Sequence, residues 1–339
     1  MDLKQLAGAL GLSTTTVSRA LNGYAEVSEV TRQRVIAKAT ELGYQPNLAA
    51  RRLALQKAEA VGIIYPPSVG ELGDPRFLEV IGGLNDGLSA VGVDLLLVTT
   101  HQDDELSTYA RMVKGRRIDA LVVARTRVDD ARVAYLIDAG FPFVAYGRTS
   151  RSAEHPWFDF DNAAGAQLAV QRLRDFGHRR IAYVHAPLEL SFAQQRFEGY
   201  RRGMAGSGGT HDTRCVVAGG MTRRSGFAAI HQLLALDEPP TAVIVDNNLA
   251  GIGVVRGLLD AGIVLGRQIS VIVYDGVPED NLLPTPAITS VDQPTPHRAG
   301  QNLATMLLAV QRGEPLAHLQ VLWQPVVTAG QSDGPVHTS

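Results

Sequence analysis

From residue 58 onward the chain repeats one pattern: a short apolar run of four to six residues, then a segment with helical spacing. The runs are Val61–Tyr65, Asp94–Val98, Ala120–Ala124, Phe143–Tyr146, Arg180–His185, Cys215–Ala218, Ala242–Val245, Ser270–Tyr274 and Ile288–Val291. Runs this short suit strands, and most are apolar throughout, as strands covered on both faces must be. Alternation of such strands with helices predicts parallel sheets sandwiched between helical layers. Nine strands suit two sheets better than one. The pattern does not fix where one sheet ends and the other begins.

The first 57 residues read differently. Leu3, Leu6, Ala7 and Leu10 recur at helical spacing and Gly11 stops the helix. Ser13 caps a second helix with Val17, Ala20 and Leu21 inward, and Asn22-Gly23 ends it in a turn. Ser28 caps a third, with Thr31, Val35, Ala39 and Leu42 inward and Gly43 after it. Two helices joined by a tight turn and braced by a third form a helix-turn-helix. The second helix needs only three residues for burial, which leaves Thr14, Thr15, Ser18 and Arg19 outward. Hydroxyls meet phosphates and base edges, threonine methyls meet thymine methyls, and an arginine forks onto guanine. The alternative is a small bundle with a merely polar face.

Charge separates the two parts. Residues 1–57 hold eight basic against four acidic side chains, whereas the whole chain has net charge −2. A basic head on an acidic body fits a module for a polyanion joined to something else. No apolar run approaches the eighteen residues or so of a membrane span, and residues 1–20 hold no apolar stretch like a signal sequence. A single cysteine, Cys215, precludes an intrachain disulfide and suits a reducing cytoplasm. No Cys/His cluster has metal-ligand spacing, and no cofactor motif stands up. "GIGVVRG", residues 251–257, imitates a dinucleotide fingerprint, but its glycines begin well past the strand ending at Val245. The fingerprint needs its first glycine at the strand-to-helix turn. There is no Walker loop, no G-x-S-x-G and no H-E-x-x-H, so an enzyme is not expected.

"LSTTTVSRALNG", "VSEVTRQRVIAKATELGYQPNLAARRL" and the following "VGIIYP" resemble the lactose-repressor (LacI) family of bacterial regulators. The resemblance implies a multi-domain chain: a small all-α helix-turn-helix head at 1–45, a hinge helix or linker at 46–57, and an α/β periplasmic-binding-protein-like core at 58–339. That core would consist of two doubly wound subdomains crossed near residues 160, 290 and 320. It places Thr14, Thr15 and Arg19 where the family reads bases, and Ser13, Thr16, Ser18 and Asn22 where it contacts or supports the backbone. Leu53 falls where the family wedges a hinge leucine into the minor groove, with Ala50 and Arg51 beside it. "GDPRFLEVIGGL", "FVAYGRT" and "HPWFDFDN" are most similar to regulators of α-glucoside uptake and use.

Ligands of open α/β sheets sit at the carboxyl ends of the strands, here between the two subdomains. "SFAQQRFEGY" brings Arg196, "VIVDNNLAG" brings Asp246, Asn247 and Asn248, "VIVYDG" brings Asp275, and "WFDFDNAAG" brings Asp159, Asp161 and Asn162 beside Trp157. A forked arginine, carboxylates and aromatic faces suit the vicinal hydroxyls and C–H face of a sugar. The resemblance matches Arg196, Asp275, Asn247 and Asp161 to effector-contacting positions. Each has a plainer role available: Asp161, Asp246 or Asn248 as helix caps, Arg196 as a surface ion-pair partner. Where many members carry a stacking aromatic this chain has Met221, so Trp157, Phe77 or Trp323 would supply the ring. A purine-type effector is disfavoured by Arg76, which stands where a flanking aromatic would be.

The expected protein is therefore a homodimeric, sequence-specific DNA-binding regulator. It is released from a palindromic operator when a sugar enters the core cleft. A co-repressed regulator with a non-sugar effector and a sugar-binding transport protein are the alternatives.

Overall fold

The computed structural model describes residues 2–44, 57–65, 74–100, 104–205, 212–278, 286–293 and 295–336. The expected hinge, with Ala50, Arg51 and Leu53, lies almost wholly outside them. The chain forms two compact units, Met1–Glu59 and Ala60–Ser339.

In the head, α1 is Leu3–Leu10, α2 is Thr14–Leu21 and α3 is Glu29–Glu41. Each begins on a side-chain cap, because the first amides of a helix have no partner within it. Asp2 accepts from the Gln5 amide at 2.8 Å, Ser13 from Thr16 at 3.0 Å and Ser28 from Thr31 at 3.3 Å. Leu6, Leu10, Val17, Ala20, Val27, Val35 and Ala39 form one buried cluster. Arg34 donates to the Leu10 carbonyl at 2.7 Å, so α3 also satisfies the frayed end of α1.

The body holds two six-stranded sheets. In the first, β1 (Ala60–Tyr65), β2 (Asp94–Thr99), β3 (Ala120–Val123), β4 (Phe143–Tyr146), β5 (Trp157–Phe160) and β11 (Gln320–Trp323) lie in the order β2-β1-β3-β4-β5-β11, all parallel. In the second, β6 (Ile181–His185), β7 (Val216–Ala218), β8 (Ala242–Val245), β9 (Ser270–Tyr274), β10 (Thr289–Asp292) and β12 (Val326–Thr328) lie in the order β7-β6-β8-β9-β10-β12. Only β12 runs antiparallel to its neighbour there. The chain passes between the sheets after Phe160, between Asp292 and Pro296, and between Trp323 and Val326.

Helices α4 (Pro75–Ser89), α5 (Glu105–Lys114) and α6 (Ala131–Asp138) serve the first sheet. Helices α7 (Asn162–Asp175), α8 (Ser191–Ala205), α9 (Arg223–Leu234) and α10 (Asn248–Asp260) serve the second. Helix α11 (Pro296–Gln311) returns to the first and packs on α4. The two backbones meet through glycine, since a Cβ on Gly83 would stand 1.9 Å from the His297 carbonyl oxygen. The "GIGVVRG" glycines lie inside α10. A Cβ on Gly253 would fall 1.9 Å from the Arg223 carbonyl, so this glycine serves helix packing and not a phosphate.

Three strands, β5, β11 and β12, were not among the nine expected. Two of them are half-exposed edge pieces of three or four residues, with apolar runs no longer than three. The "WFDF" of β5 sets one acidic residue among three aromatics.

Candidate functional site

On α2, burial falls on Val17 and Ala20, while Thr14, Thr15 and Arg19 are exposed. Those three take part in no side-chain hydrogen bond among the described residues. Ser13 and Thr16 are occupied with one another, hydroxyl to hydroxyl at 2.8 Å, and with the cap. Asn22 Nδ2 reaches Ser18 Oγ at 3.4 Å, tying the end of α2 to its last turn. The outward face therefore has two parts, a rigid capped rim and three side chains with unspent donors, acceptors and methyls.

The body carries a cavity of about 160 Å³ at the carboxyl ends of the strands, walled by both halves. Arg196 of α8 is buried at 3% exposure on its wall. Its Nε donates to Asn162 Oδ1 at 2.9 Å and its Nη1 to the Asp246 carbonyl. The guanidinium carbon lies 3.6 Å from the Tyr274 ring centroid and 4.9 Å from that of Phe192. Nη2 points to Asp275 Oδ2 at 4.0 Å, an attraction beyond hydrogen-bond reach. One edge of the guanidinium is thus fixed and the other is left for something in the cavity.

Asp275 follows β9 with φ +62, a region a non-glycine residue enters at a cost of about 1–2 kcal/mol. Strain of that kind concentrates where a chain must aim a side chain. Burial pushes the Asp275 carboxyl up, against the pull of Arg196 and then Arg76. Burial likewise raises Asp246, which accepts from the Ala186 amide at 2.8 Å. Across the cavity Arg125, after β3, also has a positive φ of +52. Buried Arg132 holds that turn by donating to the Arg125 carbonyl at 2.9 Å, while gripping Glu105 and Asp130 at 2.7 Å each.

The two halves touch along the cleft. Ser191 N donates to the Thr126 carbonyl at 2.9 Å and Val128 N to that of Glu189 at 3.0 Å. Asn248 Nδ2 reaches Asp74 at 2.9 Å, Arg148 reaches Gln195 at 3.1 Å, and Arg125 reaches the Met221 sulfur at 3.4 Å.

Two family models cover this chain. Bacterial regulatory proteins of the lacI family match residues 2–47, and the periplasmic binding proteins and sugar binding domain of the LacI family match residues 58–324. The chain belongs to the LacI family. It is 36% identical over 333 residues to the HTH-type transcriptional regulator RafR of Escherichia coli, covering 98% of each. It is 34% identical over 341 residues to AglR of Rhizobium meliloti (strain 1021), a regulator of the same type, covering 99% of this chain and 95% of that one. A solved complex of the transcriptional regulator CelR with cellobiose superposes with a TM-score of 0.74 at 28% identity, over 98% of this chain and 99% of that one. This LacI-family protein is a transcriptional regulator.

The regulator's cavity brings together Arg196, Asp275, Asn247, Phe77 and Met221. Asn247 is there as a cap, its Oδ1 accepting from Ala250 at 2.8 Å and its Nδ2 donating to the Gly220 carbonyl and Asp246. Asp161 and Trp157 are not on its wall. The Asp161 carboxylate caps α7, accepting from Ala164 at 3.0 Å. The Trp157 indole donates to the Ser152 carbonyl at 3.0 Å, at the amino end of β5 and about 10 Å short of the end that meets the cleft. Trp323 packs edge-to-face on Phe158 at 4.8 Å, away from the cavity.

Their neighbours take those places. Asp159, Asn162 and Asn248, all legible as polar groups at strand ends, line the wall. Asp74, Arg125, Tyr146, Phe192 and Gln293 line it too and went unread. Among them only Arg125 and Asp74, polar residues near a strand end and a helix start, left a local signal. No helix among the described residues is long and apolar enough to cross a membrane.

Proposed function

We propose that this regulator binds a two-fold symmetric operator as a cytoplasmic homodimer and releases it when a sugar enters the core cleft. On the head, Thr14, Thr15 and Arg19 would read base edges, and Ser13, Thr16, Ser18 and Asn22 would set the helix against the phosphates. One helix-turn-helix covers few base pairs, and a dimer supplies the second half-site. In the hinge, Ala50, Arg51 and Leu53 would enter the minor groove, where an apolar wedge unstacks a base step at a cost of a few kcal/mol.

The observation that carries the effector assignment is the half-used guanidinium of Arg196 opposite the Asp275 carboxylate. Together they offer paired donors and paired acceptors, the pattern that vicinal hydroxyls complement. Phe77, Tyr146 and Phe192 give apolar surface for the C–H face of a ring. Three arginines at the cleft have carboxylates close by: Arg148 meets Asp159 at 2.8 Å, and Arg196 and Arg76 share Asp275. These three guanidiniums are each balanced by a nearby carboxylate, which suits a neutral polyol better than a phosphate or an organic acid. CelR, a relative of the same architecture, holds cellobiose. An α-glucoside is the narrower reading that the sequence motifs support.

Differential scanning fluorimetry against a panel of neutral sugars and sugar phosphates tests the assignment. A neutral sugar should raise the melting temperature and should then weaken binding to an operator selected from random DNA. Stabilisation by phosphates alone, or by no sugar, would contradict it.

A further inference from the structure

The cavity around Arg196 does not end at Asp275. A second space of about 140 Å³, walled by Asp74, Arg76, Phe77 and Pro296, adjoins it, and beyond lies a chamber of about 800 Å³. Asp275 and Gln293 line all three, and Arg76 and Pro296 line the outer two. The inner cavity alone is smaller than the roughly 300 Å³ at which ligand pockets usually begin. It has room for about one ring.

The passage outward is polar and unspent. The Arg76 guanidinium stands between Asp275 at 3.8 Å and Asp292 at 3.6 Å, too far from either for a hydrogen bond. Among the described residues that guanidinium donates no hydrogen bond; only the Arg76 backbone amide does, to Asp74. One Asp292 oxygen accepts from Ser290 Oγ at 2.8 Å, and the other faces Arg76. One cation beside two carboxylates gives no excess positive charge, so the passage does not invite an anion. Phe77 and Pro296 supply the apolar sides that a sugar's C–H face needs.

We infer that the effector is an oligosaccharide of at least two units, and that Arg76 and Asp292 select for the second unit. This rests on the sugar reading given above. The first ring occupies the cavity at Arg196 and Asp275. The glycosidic link passes Arg76, and the next unit places its hydroxyls between the Arg76 fork and the Asp292 carboxylate. Hydrogen bonds to charged groups contribute about 1.5–3 kcal/mol, so the second unit should tighten binding about tenfold or more.

Isothermal titration of the full-length protein with glucose, galactose, cellobiose, maltose, melibiose and maltotriose decides the matter. At least one of the longer sugars should bind about tenfold or more tightly than its own component monosaccharides. Arg76→Gln and Asp292→Asn should each bring that ratio to near one. Phe192→Ala, on the inner wall, should weaken short and long sugars together and keep the ratio. Unliganded melting curves of the two outer variants show that they fold, and either one suffices. Monosaccharides binding as tightly as every longer sugar would overturn the inference and leave the sugar reading standing. A ratio unchanged in both variants would overturn the role of Arg76 and Asp292. No binding by any sugar would remove the sugar reading and the inference with it.

Discussion

The head and the cleft place their working side chains in opposite ways. On α2, Thr14, Thr15 and Arg19 stand outside a core made by other residues, and nothing in the fold depends on them. In the cleft, Arg196 holds Asn162 and the Asp246 carbonyl and lies on two rings, so the group that would meet the ligand also holds the wall together. Recognition of DNA can therefore change without touching stability, whereas recognition of the effector at Arg196 cannot. This difference follows from the targets. A groove in DNA comes to an exposed helix, but a small polar ligand must be surrounded, and its partners must be oriented while buried.

Substitutions can break or sharpen that contrast. The largest effect is expected at Arg196. Arg196→Ala removes a buried cation whose partners stay behind, and breaking such a group costs about 3–5 kcal/mol. The melting temperature should fall by many degrees, and the sugar response should vanish in whatever folds. A variant with parental melting would place Arg196 outside the structure of the wall. Arg19→Ala should show the reverse pattern, losing about 1–3 kcal/mol of preference at one base pair. Its stability should stay within about 0.5 kcal/mol of the parent. Operator selection and thermal melting measure the two quantities side by side.

Between these extremes stands Ser13, which belongs to the fold and borders the DNA face. Ser13→Ala should cost the head about 1 kcal/mol through the lost cap. Asp275→Asn should give the smallest change and the opposite sign. Because burial raises the carboxyl, the folded chain keeps this proton at a pH where the unfolded chain has lost it. The group's contribution to stability is complete below the unfolded value and is lost as pH rises through the raised one. At neutral pH the ionised carboxylate is therefore a cost. Asparagine, which also tolerates a positive φ, should raise the melting temperature while weakening sugar binding. A pH-independent gap in melting between the two proteins would contradict that account.

The architecture was legible because most of the apolar runs are strands buried on both faces. The three strands that escaped are β5, β11 and β12. Nothing in "QVLW" or "VVT" distinguishes an edge strand from a loop, and their pairing is decided by residues far away in sequence. The cleft was legible just after the strands, at Asp275 and Asn248, and on the helix that follows β6, at Arg196. The differences there come from phase and depth. Asp159 and Asp161 sit two residues apart, yet one is on the strand end and the other turns back onto α7 as its cap. Trp157 lies on the correct strand at the wrong end. Tyr146, Phe192 and Gln293 come from segments distant in sequence, and their meeting at one cavity is set by tertiary packing that no local pattern encodes.

The most direct test joins the two regions. Operator affinity is measured by fluorescence anisotropy with and without a saturating sugar, in the parent and in Asp275→Asn at the same sugar concentration. The account predicts that sugar weakens the parent's hold on the operator by about a hundredfold, a coupling of about 2.7 kcal/mol. It also predicts that the variant responds far less. An unchanged operator affinity in the parent with the sugar demonstrably bound, or an equal response in the variant, would contradict the claim that the cleft controls the head.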